Sequence, residues 1–238
     1  MIPPEQVAAV RAEALSGIEE YRTCYESDDP RMRAINQVAF VPSFARYVAD
    51  DRIMAVCRDV LDPHVRIAQT EYLGKIRPAG EDKKAMEKRM DPAQHGGSRG
   101  CECSNGRLGL TVADSEGSPL LRIDHTDWPY DINAGGHSGA IRPPFPPVPM
   151  AISTVWYLSD SSQDAAGTWL VPRSHTEPRN PLVVEDGIDN RMPIPGELQA
   201  TAPAGSVLVM DARLWHSMAP NNAPSPRVAV VVRYAPSV

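Results

Sequence analysis

The 238-residue sequence lacks a long apolar run, an excess of basic residues and a secretory signal. No stretch approaches the ~18 apolar residues of a membrane span, so we expect no membrane partner. The first residues lack the basic and apolar segments of a signal peptide, which predicts a cytoplasmic protein. The formal net charge of −6 argues against a nucleic-acid partner, because such a protein needs a basic face.

Cysteine is also scarce, with four residues: Cys24, Cys57, Cys101 and Cys103. Only one residue separates Cys101 from Cys103, a poor spacing for an ordinary disulfide. No second pair of Cys or His residues at zinc-finger spacing accompanies them. We therefore expect reduced thiols without a metal or redox role.

Proline, in contrast, is abundant, with 24 residues in the chain. The prolines separate short runs rich in Val, Ile and Leu, which favours a β fold with many loops over disorder. Strands are predicted over 65–76, 119–124, 150–158, 168–171, 206–210 and 227–234. No helix of the length needed for a βαβ unit separates the later strands, so we predict an antiparallel two-sheet sandwich or barrel.

The first sixty residues are predicted to be helical. Apolar residues recur there at steps of three or four: Val7, Val10, Ala14 and Ile18. A second apolar run, 53–61, follows Asp50 and Asp51, either of which can cap a helix. We expect one domain, in which helices from 1–63 pack on one sheet of a β core formed by 64–238.

Residues 80–105 form a polar, glycine-rich segment between two predicted strands. Long loops of this kind inside a domain are often active-site lids or insertions. We expect this segment to be a lid, with a simple insertion as the alternative.

Two histidines and one aspartate form a candidate metal site. His125 and Asp127 are two residues apart, so on a strand they project to the same face. His216 follows the predicted strand 206–210 and supplies a second imidazole. Two imidazoles and one carboxylate make the facial triad of non-heme Fe(II) oxygenases, which leaves coordination positions open.

Arg227 lies eleven residues after His216, beyond a turn rich in Pro and Asn. A hairpin of that length would place Arg227 on the neighbouring strand, facing the same interior. A buried guanidinium there can hold a carboxylate with two hydrogen bonds. An arginine considered alone at such a position is more often exposed on an edge strand. Here the order and spacing of the His125–Asp127 motif, His216 and Arg227 favour the anchoring role.

Together, these motifs resemble the phytanoyl-CoA dioxygenase family over about residues 65–235. The resemblance rests on H-T-D at 125–127, G-T-W-L-V-P-R-S-H at 167–175, G-S-V-L-V-M-D-A-R-L-W-H at 205–216, and Arg227. It implies a double-stranded β-helix, also called a jelly roll. It also implies Fe(II), 2-oxoglutarate as cosubstrate and O2.

The resemblance assigns roles to individual residues. The implied iron ligands are His125, Asp127 and His216, and Arg227 would bind the C5 carboxylate of 2-oxoglutarate. Thr168 and Gln69 are further candidates for binding 2-oxoglutarate, with Lys75 competing with Gln69. One departure is Arg173, which stands where the family commonly has a glycine, and this puts the geometry of that turn in question.

The implied function is the hydroxylation, desaturation or cyclisation of a small metabolite or natural-product intermediate, with succinate and CO2 as co-products. Two alternative functions are compatible with the sequence. One is a cupin-type metal enzyme that does not use 2-oxoglutarate, and the other is a non-catalytic jelly-roll binding module.

Overall fold

The computed structural model describes residues 1–24, 33–35, 41–75, 125–126, 147–179, 194–219, 221 and 223–237. Within these ranges, only the backbone is described at 33–35, 71–75, 125–126 and 217–218. The predicted strand 119–124, the predicted lid 80–105 and the predicted ligand Asp127 lie outside the described residues.

Three α-helices, a short 3-10 helix (Ser174–Thr176) and nine strands lie in the described part of the chain. The α-helices are α1 (Pro4–Cys24), α2 (Pro42–Val48) and α3 (Asp51–Val60). The strands are β1 (Arg33–Ile35), β2 (Val65–Lys75), β3 (His125–Thr126), β4 (Ile152–Tyr157), β5 (Thr168–Leu170), β6 (Leu198–Ala200), β7 (Val207–Asp211), β8 (Trp215–Met218) and β9 (Arg227–Pro236).

The nine strands form two sheets. The larger has the order β1-β2-β9-β4-β7, and the smaller has the order β3-β8-β5-β6. Every pairing between these strands is antiparallel. The prediction of a mainly β protein with two antiparallel sheets is confirmed.

The prediction for the first sixty residues is right for the helices but wrong at β1. Asp50 caps α3 as expected, since its side chain accepts a hydrogen bond from the backbone N–H of Arg52 at 3.0 Å. Residues Arg33–Ile35, however, pair with β2 at the edge of the larger sheet. Three residues carry too little periodicity to predict a strand, and here a pairing partner distant in sequence decides the conformation.

The helices pack against the outer face of the larger sheet, as predicted. Alternate residues of β9 lie in this core: Val228, Val230, Val232 and Tyr234. The ring of Trp156 meets that of Phe44 edge-on, with 5.6 Å between the centroids. The Tyr234 hydroxyl donates a hydrogen bond to the backbone oxygen of Val48 at 2.7 Å, which ties α2 to the sheet.

The inner face of the larger sheet packs against the smaller sheet. This second apolar cluster contains Val155, Tyr157, Leu170, Met210, Ala229 and Val231. On β9 the same face also carries Arg227 and Arg233, because alternate residues of a strand share a face. Within the described part of the chain, no helix combines the length and the hydropathy required to cross a lipid bilayer.

Candidate functional site

The pairing of β3 with β8 brings together two of the predicted metal ligands. His125 and His216 lie directly opposite each other in the antiparallel register. Residues opposite each other share a face, with their Cβ atoms about 5 Å apart. Two histidines from segments about ninety residues apart in sequence therefore occupy paired positions in the smaller sheet.

The imidazole of His216 is oriented by its own backbone. The side chain is buried, and Nδ1 lies 2.7 Å from the backbone oxygen of Leu214. A carbonyl oxygen only accepts hydrogen bonds, so Nδ1 must carry the proton, and in the neutral ring Nε2 keeps the lone pair. Metal-binding histidines usually have this arrangement, in which one nitrogen is fixed by a hydrogen bond and the other faces the metal.

The turn after β5 holds the strand that carries His216. The Ser174 hydroxyl accepts a hydrogen bond from the backbone N–H of Trp215 at 2.8 Å. The N–H of Val171 donates to the backbone oxygen of Trp215 at 3.0 Å. These two bonds fix the residue next to His216 from both sides.

Arg173 occupies a strained position in this turn. Its φ of 70° lies in the left-handed region, where a residue with a Cβ is disfavoured by roughly 1–2 kcal/mol. Although Arg173 replaces the glycine that is common in the family, the turn keeps the left-handed conformation that glycine favours.

Arg227 is buried at the start of β9. It is 3% exposed, and its guanidinium carbon lies 5.3 Å from the centroid of the Tyr157 ring. Burial lowers the pKa of Arg227, an effect that Tyr157 partly offsets, but an arginine stays charged in a protein. Burial therefore favours a negatively charged partner at this position.

The prediction that Arg227 lies on the strand beside His216 is wrong. The strand that holds His216, β8, belongs to the smaller sheet, whereas β9 belongs to the larger one. The chain crosses between sheets after His216, so Arg227 faces the same interior from the opposite wall. The loop length alone could not distinguish a hairpin from a crossover.

Tyr157 joins Arg227 to Thr168 and was not predicted from the sequence. The Tyr157 and Thr168 hydroxyl oxygens lie 3.1 Å apart, and both side chains are buried. Since Tyr157 is on β4 and Thr168 is on β5, this hydrogen bond links the two sheets. The strand pattern of β4 could have identified Tyr157, because successive residues of a strand face opposite sides. If Trp156 faces the helices, Tyr157 must face the interior.

The structure separates Gln69 from Arg227. Gln69 lies opposite Arg233, and its side-chain oxygen accepts a hydrogen bond from the Arg233 Nη1 at 3.0 Å. The residue opposite Arg227 is Lys75, the competing candidate. Six residues of strand span about 20 Å, so the structure brings Lys75 to the Arg227 end of β9 and Gln69 to the other end.

The third predicted metal ligand, Asp127, lies outside the described residues. Among the residues that are described, no group of three or more His, Cys, Asp or Glu residues could hold a metal ion. The cross-strand pair of His125 and His216 is the part of the predicted triad that the structure places.

Residues 125–229 match the family model of phytanoyl-CoA dioxygenase, the family whose motifs the sequence resembles. This segment begins at His125 and extends just past Arg227. The predicted resemblance is confirmed over these residues. No curated protein sequence matches the chain.

Solved structures show the same fold. HygX from Streptomyces hygroscopicus, with nickel and 2-oxoglutarate bound, is 18% identical with a TM-score of 0.61, covering 99% of this chain and 80% of HygX. The non-heme alpha ketoglutarate dependent epimerase SnoN from nogalamycin biosynthesis is 14% identical with a TM-score of 0.55, over 99% of this chain and 75% of SnoN. EctD from S. alaskensis, with 2-oxoglutarate and 5-hydroxyectoine, is 16% identical with a TM-score of 0.55, over 99% of this chain and 70% of EctD.

Proposed function

Because residues 125–229 match the phytanoyl-CoA dioxygenase family, we propose that the protein is a non-heme oxygenase dependent on Fe(II) and 2-oxoglutarate. The reaction we propose is hydroxylation, desaturation or cyclisation at an unactivated C–H bond of a small metabolite or natural-product intermediate. The observation that carries the proposal is that His125 and His216 lie opposite each other on the smaller sheet. Across the interior, the larger sheet holds the buried Arg227.

The two histidines fit an iron site. His125 and His216 lie opposite each other in the strand register, and the Nδ1 hydrogen bond orients the His216 imidazole, as is usual for a histidine that binds a metal through its other nitrogen. With Asp127 as the carboxylate ligand, these residues would hold Fe(II) and leave positions open for 2-oxoglutarate and O2. Bound Fe(II) supplies the activation of O2, coupled to the decarboxylation of 2-oxoglutarate to succinate and CO2.

Arg227 would anchor the C5 carboxylate of 2-oxoglutarate. A guanidinium offers paired donors to a carboxylate, and the buried setting strengthens that interaction. Tyr157 contacts both Arg227 and Thr168. The Thr168 hydroxyl would donate a hydrogen bond to the same carboxylate. We propose Lys75, the residue opposite Arg227, as the further cosubstrate ligand in preference to Gln69.

The apolar residues between the sheets would keep water away from the reaction. Val155, Leu170 and Val231 pack in the cluster that adjoins Tyr157. A dry site strengthens the electrostatic grip on 2-oxoglutarate and prevents side reactions of a strong oxidant. The residues of this protein would therefore bind, orient and shield the reactants.

The strand order supports a double-stranded β-helix. Apart from β1, the larger sheet is β2-β9-β4-β7 and the smaller is β3-β8-β5-β6. From β2 to β9 the chain passes from one sheet to the other at every step except β5 to β6, which form a hairpin in the smaller sheet, and crossing between two sheets in this way is expected for a jelly roll. We propose this fold for the core, with β1 added at one edge.

The proposal is tested by titrating the protein with Fe(II) and 2-oxoglutarate without oxygen. A chelated Fe(II)–keto acid gives a weak visible charge-transfer band, which we expect in the wild type and not in His216→Ala. His64→Ala is the matched control, because His64 is exposed beside β2 and should leave the band unchanged.

Two other results would overturn the proposal. Iron binding without the band would favour the cupin-type enzyme that does not use 2-oxoglutarate. Failure to bind iron would favour the non-catalytic binding module.

A further inference from the structure

The backbone on either side of Arg227 is held by side chains from two other parts of the chain. Arg11 on α1 donates a hydrogen bond from Nη2 to the backbone oxygen of Pro226 at 3.2 Å. Ser159, which follows β4, accepts a hydrogen bond from the backbone N–H of Val228 at 2.9 Å. The residue proposed to anchor 2-oxoglutarate therefore lies between two neighbours whose backbones are fixed.

Pro226 is well suited to set the direction of the strand that follows it. A proline ring holds φ near −65° and leaves the residue without a backbone N–H. The carbonyl oxygen is then its one backbone group that can form a hydrogen bond, and Arg11 binds this oxygen from a position 215 residues away in sequence. A charged donor forms a stronger hydrogen bond than a neutral one, so the contact holds the backbone where it enters β9.

The helix that carries Arg11 is a firm support for this contact. Val7, Val10 and Ala14 of α1 are buried in the core between the helices and the larger sheet, and Val228 belongs to the same core. Arg11 itself is half-buried. The helix and the first residues of β9 therefore share one core, and Arg11 adds a polar bond at its margin.

The segment after β4 holds the other side of Arg227. The backbone N–H of Leu158 donates to the Val228 oxygen at 2.9 Å, so together with the Ser159 bond both backbone groups of Val228 are paired. The residue before Leu158 is Tyr157, whose ring lies against the Arg227 guanidinium. One short segment thus contacts the side chain of Arg227 and fixes its neighbour.

We propose that Arg11 and Ser159 are positioning residues that fix the backbone around Arg227, so that its guanidinium meets the C5 carboxylate of 2-oxoglutarate. They would act through the backbone and not by contact with 2-oxoglutarate. A binding group must be held within about 0.5 Å of its productive geometry, and a paired guanidinium–carboxylate contact depends on its geometry. This inference rests on the proposed function and gives the N-terminal helical layer a part in cosubstrate binding.

The test compares two keto acids that differ only at the anchored end. 2-Oxoglutarate has the C5 carboxylate, whereas 2-oxopentanoate has a methyl group there and the same keto acid end for iron. Each is titrated into the protein with Fe(II) and without oxygen, and the charge-transfer band gives its Kd. Arg11→Met removes the donor, so it should raise the Kd of 2-oxoglutarate about three- to tenfold and leave that of 2-oxopentanoate unchanged.

Two further variants test the proposal even if Arg11→Met does not fold. Arg11→Lys keeps a charged donor on a long side chain and should restore most of the binding of 2-oxoglutarate. Ser159→Ala removes the hydrogen-bond acceptor on the other side of Arg227 and should also raise the Kd of 2-oxoglutarate alone.

The matched control is Arg66→Met. Arg66 is exposed and also donates to a proline oxygen at 3.2 Å, that of Pro236 at the opposite end of β9. Its removal should leave the Kd of both keto acids at the wild-type value. An equal rise for 2-oxoglutarate in Arg66→Met and Arg11→Met would contradict the inference.

A double substitution tests whether Arg11 acts through Arg227. Residues that act through one another have non-additive effects. Arg227→Met deletes the anchor, so adding Arg11→Met to it should not weaken the binding of 2-oxoglutarate further. If the full effect of Arg11→Met persists without Arg227, Arg11 acts by another route and the inference is overturned.

The competing explanation is that the Arg11 bond only docks α1 on the larger sheet. Arg11→Met would then lower the midpoint of thermal unfolding but leave the ratio of the two Kd values as in the wild type. That result overturns the inference, because a purely structural role does not distinguish the two keto acids.

The proposed function and this inference can be told apart by the same titrations. Absence of the band in the wild type with both keto acids would overturn the proposed function, and this inference with it. A wild-type band whose 2-oxoglutarate Kd is unchanged in both Arg11→Met and Ser159→Ala would overturn this inference alone.

Discussion

The two faces of β9 are equally buried but differ in chemistry. The outer face, formed by Val228, Val230, Val232 and Tyr234, packs against the helices in an apolar core. The inner face places Arg227 and Arg233 at either end of a short apolar stretch. Burial by itself therefore does not separate residues that stabilise the fold from residues suited to binding.

The difference between the faces has a thermodynamic meaning. Apolar side chains on the outer face gain free energy by leaving water, at about 25 cal/mol per Å². Buried guanidinium groups on the inner face lose solvation, and only interactions with polar or anionic partners compensate. The role proposed for Arg227 would supply one such partner, the C5 carboxylate of 2-oxoglutarate.

The largest expected effect concerns Trp156, on the outer face of β4. Its ring is fully buried against Phe44, and its indole N–H donates to the Thr154 hydroxyl at 3.0 Å. Truncation of such a side chain leaves a cavity, so Trp156→Ala should lower the free energy of unfolding by about 3–5 kcal/mol. Urea unfolding measures this change.

If the two faces of the larger sheet act independently, the loss of stability in Trp156→Ala should leave the binding of 2-oxoglutarate unchanged. The folded fraction of Trp156→Ala should bind 2-oxoglutarate with nearly the wild-type Kd, because the ring faces the helices. A large rise in that Kd would show that the two faces are not independent.

A smaller effect is expected from the Cys57 thiol of α3, which is buried in the outer core. Burial raises the pKa of Cys57 from 9.0 to about 11. The unfolded thiol therefore ionises at lower pH than the folded one, so this stabilisation is complete below pH 9 and is lost as the pH rises through about 11. Between these values the free energy of unfolding should fall by about 1–2 kcal/mol more in the wild type than in Cys57→Ala.

Urea unfolding at a series of pH values between 8 and 11 checks the Cys57 prediction. Equal pH dependence in the two proteins would contradict it. Such a result would mean that ionising the Cys57 thiol in the outer core costs less free energy than its apolar surroundings indicate.

The smallest expected effect concerns Tyr157, the inner-face neighbour of Trp156. Tyr157→Phe keeps the ring beside Arg227 but removes the hydroxyl that pairs with Thr168. Loss of one buried hydrogen bond should cost about 1 kcal/mol of stability. Because Thr168 then loses its orientation, the Kd of 2-oxoglutarate should rise about three- to tenfold.

Calorimetric titration of 2-oxoglutarate and urea unfolding measure both changes in Tyr157→Phe. An unchanged Kd together with the loss of stability would make Tyr157 a purely structural link between the sheets. In that case the inner face would itself contain both residues that only stabilise the fold and residues that bind 2-oxoglutarate.

Some elements could be predicted because their residues repeat a pattern over enough length. The amphipathic steps of α1 and the β-rich runs that became β2, β4 and β9 identify these elements. The strands β1, β6 and β8 have three or four residues and were not predicted, because so few residues carry little pattern. The equally short β5 lies within the β-rich run 168–171, which does predict a strand.

The candidate site divides in the same way. The sequence by itself determined the chemical groups: two histidines, an aspartate two residues after the first, and an arginine eleven residues after the second. These signals are local, since each depends on residues within about a dozen positions.

Only the tertiary structure decided which of these groups meet. The β3–β8 register set His125 opposite His216, and the crossover of the chain placed Arg227 on the opposite wall. The β2–β9 register paired Arg227 with Lys75 and Arg233 with Gln69. Register and sheet membership depend on pairing between segments far apart in sequence, where a shift of one residue reverses every face, and no local pattern carries that information.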